Sequence, residues 1–196
     1  MDLRKLATWP QAGCVDAQPA AWICPAQWTV ERGRDAYLAQ NGFTLAGYDE
    51  PVVTVNYAGL RLRVPNPPKR RWAVRLHDLH HVATGFGTDP IGEAEISAWE
   101  LRGGLRALGP YVGSIVLWGA CAGLVLGPRR AISAWRAGGH AHALFNMKDA
   151  DYAQLLRLTV GELRAQLRVP IQGLATHPPG LHADAPRPGS STTMPG

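Results

Sequence analysis

The residues most suited to chemistry lie between positions 77 and 93. His77 and His81 are four apart, so on a helix both imidazoles leave the same side. Asp78 is three before His81, and the three side chains fit within roughly 100° of arc. Eleven residues, Val82 to Gly92, separate His81 from Glu93. Gly85 and Gly87 break the first helix, and Asp89-Pro90 reads as an N-cap followed by proline at the first helical position. A second helix then carries Glu93 about one turn in. Two imidazoles and two carboxylates can converge on one point, which is a donor set for zinc first, and also for iron(II) or manganese. Calcium would want more oxygens. The candidate metal ligands are therefore His77, Asp78, His81 and Glu93. Asp78 is also the candidate catalytic residue, because a carboxylate beside a ligand can act as general base if it does not bind the metal itself. His80 projects roughly 60° to the other side of His77 and reads as a supporting or surface histidine. Glu95 should face away from Glu93.

The elements that position these groups read as helices. Leu76, Leu79, Val82 and Ala83 surround the histidines, so part of the motif helix is buried. A cation is the simplest partner for carboxylates held there. Pro65-Asn66-Pro67-Pro68 blocks any helix before it, and the motif helix should begin within residues 69–72. Residues 29–40 read as a helix stopped by Asn41-Gly42, and residues 52–64 as extended chain or a short hairpin. The Glu93 helix should end at Gly103-Gly104. Residues 149–158 read as a helix, and Thr159-Val160-Gly161-Glu162 as a capping box opening a last helix that stops at Pro170. The expected fold is mainly α, a single helical domain over residues 26–172. An irregular lead-in (1–25) precedes it and a Pro/Gly/Ser/Thr-rich disordered tail (173–196) follows.

Residues 111–127 hold no charge, and Gly119, Gly123 and Gly127 recur every fourth position. Such a smooth face lets another backbone or a flat apolar ligand approach closely. A buried core helix is the first reading, a lining for a lipid tail or an interfacial helix the second, and a membrane span the last. Cys121 reads as a small core residue. His140-Ala141-His142 in a glycine-rich loop is set aside as a metal pair. Arg136 is either a solvated cation or an anchor for an anionic ligand.

With 196 residues, 46% of them hydrophobic, the chain can build one ordinary core. A net charge of +5 suits an anionic membrane surface, a phosphate or a nucleic acid. Nucleic acid ranks last, because no basic block is interleaved with aromatics and no zinc finger is present. Cys14, Cys24 and Cys121 have no CxxC spacing and suggest a reduced, intracellular setting. The first residues lack the apolar run of a secretory signal.

The pattern HDxxH, eleven residues, then Glu resembles the fourth Coq protein family of ubiquinone (coenzyme Q) biosynthesis, complete here as His77, Asp78, His81 and Glu93. The flanks His81-Val82-Ala83-Thr84-Gly85-Phe86-Gly87-Thr88-Asp89 and Gly92-Glu93-Ala94-Glu95 are similar too. So are Ala134-Trp135-Arg136-Ala137-Gly138 and Glu162-Leu163-Arg164-Ala165-Gln166-Leu167. The likeness spans about residues 36–170, and departs from the family around 140–152 and at both tails. It implies a mostly helical fold and a divalent metal, usually zinc, on those four residues. It also implies a hydrophobic pocket for an isoprenoid tail, and a chain attached peripherally to the inner face of the membrane beside other ubiquinone-biosynthesis proteins. The implied reaction replaces the ring carboxylate of a prenylated hydroxybenzoate, or a related quinone precursor, by a hydroxyl group. A scaffolding role is implied as well, and a homodimer is compatible with it.

Two other classes compete. A metal-dependent hydrolase is one, although His77 is the first histidine in the chain and the upstream ligand of HD-type phosphohydrolases is missing. The other is a non-catalytic isoprenoid-lipid-binding scaffold whose metal only braces the fold.

Overall fold

A computed structural model describes residues 23–57, 60–147 and 151–175. It is mainly helical: seven α-helices and one two-stranded hairpin are present among the described residues. The tail expected to be disordered lies, from residue 176, outside them, as does the lead-in up to residue 22.

Helix α1 (Val30–Gln40) begins at Thr29, whose side chain accepts the Arg32 N–H, and stops at Asn41-Gly42 as its sequence suggests. Strands β1 (Val52–Tyr57) and β2 (Leu60–Pro65) pair antiparallel, with Val52 opposite Pro65 and Tyr57 opposite Leu60. Helix α2 (Pro68–Thr84) follows, with prolines at its first turn where no N–H is needed. It ends at Gly85, which adopts φ 81° and donates to the His81 carbonyl.

Helix α3 (Pro90–Gly103) is capped by Asp89, whose carboxylate accepts from the N–H groups of Ile91 and Gly92. It is buried along most of its length, packed on α4 (Gly109–Leu126) and α5 (Pro128–Gly138) on one side and facing α2 on the other. Short helix α6 (Tyr152–Arg157) starts at Asp151. Helix α7 (Val160–Leu167) opens with the expected capping box of Thr159 and Glu162. Buried Arg164 on α7 donates to the carbonyls of Ala83, near the end of α2, and of Ile171. Leu174 N–H bonds to Thr84 at the same place. These contacts fix where α2 stops, one turn beyond His81. The core gathers Leu76, Leu79, Ile96, Trp99, Leu144, Phe145, Leu163 and Leu167, all fully buried.

Helix α4 departs from the core-helix expectation, since only 22% of it is buried. Its small-residue face meets α3 and α5: a side chain at Gly119 would strike Ser97, and one at Gly123 would strike Ala94 and Ala131. The glycines therefore admit a neighbouring helix. The large side chains Leu117, Trp118, Leu124 and Val125 lie on the other face and are exposed. Cys121 shares that stripe and is exposed too, which corrects its reading as a core residue. An all-apolar helix does not announce which face it buries.

Candidate metal centre

The site forms where α2 and α3 face each other. The turn between them is tight: the His81 ring bonds through Nδ1 to the Phe86 carbonyl at 2.9 Å. The first turn of α3 presses on Gly87, close enough that Gly92 has no room for a Cβ. Glu93 is thereby carried to the histidines. His77 Nε2 and His81 Nε2 face each other at 3.1 Å. Glu93 Oε2 lies 3.4 Å from the first and Oε1 lies 3.6 Å from the second. Donor atoms about 2.0–2.1 Å from a tetrahedral zinc ion are separated by about 3.3 Å. The three observed separations bracket that value, so the residues present fit a small divalent cation, and His77, His81 and Glu93 could hold one. Both imidazoles use Nδ1 in other hydrogen bonds, which directs their Nε2 atoms toward the common point.

Asp78 is placed differently. It stands outside that cluster of three and accepts a hydrogen bond from the Tyr48 hydroxyl. Burial raises its carboxyl pKa to about 7; His77 and the Tyr48 bond pull it down, while Glu93 and Glu100 add to the rise. Asp78 and Tyr48 also line a cavity of about 400 Å³. Its other walls are mostly apolar, including Leu38, Phe43, Val52 and Val74, with Asn66 and Arg70 supplying polarity. The cavity lies beside α2, α1 and the hairpin, and the glycines of α4 do not line it.

Electrostatics separate the two metal-facing histidines. Burial opposes charge on His77, yet Glu100 and Glu93 outweigh it and raise its pKa well above the usual imidazole value. Burial lowers the His81 pKa, Glu93 opposes this and His77 adds to it, and the outcome is a value of about 4. The carboxylates around His77 thus favour its charged form, while burial disfavours charge on His81.

Sequence reasoning missed Glu100. It is fully buried, and its Oε1 accepts from His77 Nδ1 at 2.8 Å and from His80 Nδ1 at 2.7 Å. The available signal was spacing: Glu100 lies seven residues after Glu93, two helical turns along the same face. His80 is a buried supporting residue, not a surface one. Glu95 faces away, as expected, and pairs with Arg130 of α5. His140, His142 and Arg136 are exposed.

In comparisons with known proteins, no family model, curated protein or solved structure matches the chain.

Proposed function

We propose that this chain is a metal-dependent protein of the ubiquinone-biosynthesis type, acting on a prenylated hydroxybenzoate or related quinone precursor. The observation that supports it is the junction on α2. His77 and His81 of the cluster share the segment of α2 that carries Asp78, Glu93 joins them from α3, and Asp78 lines an apolar cavity. An aromatic acid with an isoprenoid tail needs that combination of a polar end and an apolar container. In this reading Asp78 and Arg70 face the polar end, and Leu38, Phe43, Val52 and Val74 hold apolar parts of the ligand. His77, His81 and Glu93 would hold a divalent cation, zinc, iron or manganese, which would supply positive charge for the head group and for the charge developing as CO₂ leaves; iron or manganese would also supply the redox activity toward dioxygen that zinc lacks.

Exchange of carboxylate for hydroxyl is a two-electron oxidation, and dioxygen is the oxidant in this proposal. The ring acid, water and dioxygen give the phenol, CO₂ and hydrogen peroxide. Asp78, held by Tyr48, takes the proton released from water. The test is turnover of a prenylated 4-hydroxybenzoate by the metal-loaded protein, followed as CO₂ and phenol. Asp78→Asn should keep its metal and lose activity by about 10²-fold or more, the usual contribution of a positioned base. Hydrolysis of simple phosphoesters, with no CO₂ released, would contradict the proposal and favour the hydrolase class.

The same reading assigns the exposed side of α4 and α5 to an anionic bilayer. No Asp or Glu occurs between Leu101 and Lys148, whereas Arg102, Arg106, Arg129 and Arg136 do, beside Arg130, which is paired with Glu95 of α3. Exposed Leu117, Trp118, Leu124 and Val125 on α4 and Ile132 and Trp135 on α5 supply the apolar contact. The protein should sediment with phosphatidylglycerol vesicles and not with phosphatidylcholine vesicles, and Trp118→Asp/Leu124→Asp should release it. Equal binding to both lipids, or none to either, would contradict the assignment.

A further inference from the structure

We infer that Glu100 is the positioning residue of the metal centre: one buried oxygen accepts from Nδ1 of both His77 and His80, and so fixes which nitrogen His77 presents to His81 and Glu93. The inference rests on the metal reading of the cluster. Three observations support it beyond the two hydrogen bonds.

The first is the state of His80. Its Nε2 accepts the backbone N–H of Leu144 at 2.9 Å, so that nitrogen carries a lone pair and Nδ1 carries the proton. His80 is therefore a fixed donor to Glu100. Trp99 and Phe145 pack edge-on against its ring, with centroids 5.1 and 4.9 Å away. The second is the cost. Glu100 is wholly buried, and its Oε2 has no hydrogen-bond partner among the described residues. Packing would be better served by an apolar residue there, since an unsatisfied buried carboxylate oxygen is destabilising. The third is direction. A carboxylate that accepts from the far nitrogen of a ligating imidazole fixes the ring's tautomer and makes its other nitrogen a better donor. The path runs from the Leu144 backbone through His80 and Glu100 to His77, tying three segments to one ligand atom.

Zinc affinity, measured by competition with a chromophoric chelator, tests this in the full chain. Glu100→Gln keeps the shape and one acceptor but removes the charge. It should bind zinc about 10–100-fold more weakly than wild type. The visible spectrum of its cobalt(II)-loaded form should also change, a readout that a purely structural role would not move. Affinity within twofold of wild type, with an unchanged cobalt spectrum, would overturn the inference while leaving the metal reading intact. Wild type that binds no zinc would overturn both. Nitrogen-15 NMR of histidines in zinc-loaded wild type decides the matter without any variant, should Glu100→Gln not fold. Protons on Nδ1 of both His77 and His80 are expected, and a proton on Nε2 of either ring would refute the inference.

Discussion

Replacing His81 with alanine should weaken divalent-metal binding by at least about 10²- to 10³-fold. The reasoning runs from the total: protein zinc sites bind with roughly 10–16 kcal/mol, so one of three or four ligands carries about 3–4 kcal/mol. His81 has the larger share of that consequence, because its low pKa leaves it neutral and ready to coordinate at any ordinary pH. Glu100 and Glu93 favour the protonated form of His77, whose proton a metal must displace. Binding should therefore release about one proton from His77, and apparent affinity should rise about tenfold per pH unit while His77 remains protonated. Calorimetry in buffers of different ionisation enthalpy reads that proton directly. His81→Ala with wild-type affinity, or a pH-independent affinity in wild type, would show that the cluster is not the metal site.

Gly92→Ala should be the most damaging single-methyl change near the site. The added Cβ would overlap the backbone carbonyl of Gly87, which is main chain and cannot rotate away. Overpacking of this kind costs about 3 kcal/mol or more when backbone must move. The strain falls next to Glu93 and inside the turn that His81 closes through the Phe86 carbonyl. Both the midpoint of chemical unfolding and the metal affinity should drop. Gly123→Ala offers a milder contrast, because its Cβ would meet the Cβ atoms of Ala131 and Ala94 at 2.9 and 3.0 Å, where the Gly92 Cβ would come far closer to a carbonyl oxygen. A Gly92→Ala protein within about 0.5 kcal/mol of wild type would contradict the packing of α3 on the turn.

Local signals carried most of the fold. Asp89-Pro90, Thr159 with Glu162, Gly85 and Asn41-Gly42 each act through their own backbone, and the helix ends appear where these residues place them. The helix expected over 149–158 is shorter, because Asp151 caps it, with residues 149 and 150 outside the described chain. What spacing could not supply was the choice of neighbours. Residues 111–127 read as core because they are apolar, yet α3 fills only their glycine face. His77, His81 and Glu93 could be brought together on paper because one turn joins their helices. Asp78 was grouped with them by arc alone, and the Tyr48 hydroxyl, thirty residues away, is what draws it toward the cavity. Glu100 and His80 are linked by the burial of α3 against α2, a tertiary fact with only a faint mark in the sequence, the seven-residue step from Glu93.

The most direct measurement is the metal content of the purified, folded protein, by mass spectrometry, before and after reconstitution with zinc, iron(II) or manganese. About one equivalent of one of these metals is expected in wild type, retained in Asp78→Asn and lost in Glu93→Ala. Folded wild type that takes up none of the three would contradict the account, and His77, His81 and Glu93 would then be a hydrogen-bonded cluster sharing a proton and nothing more.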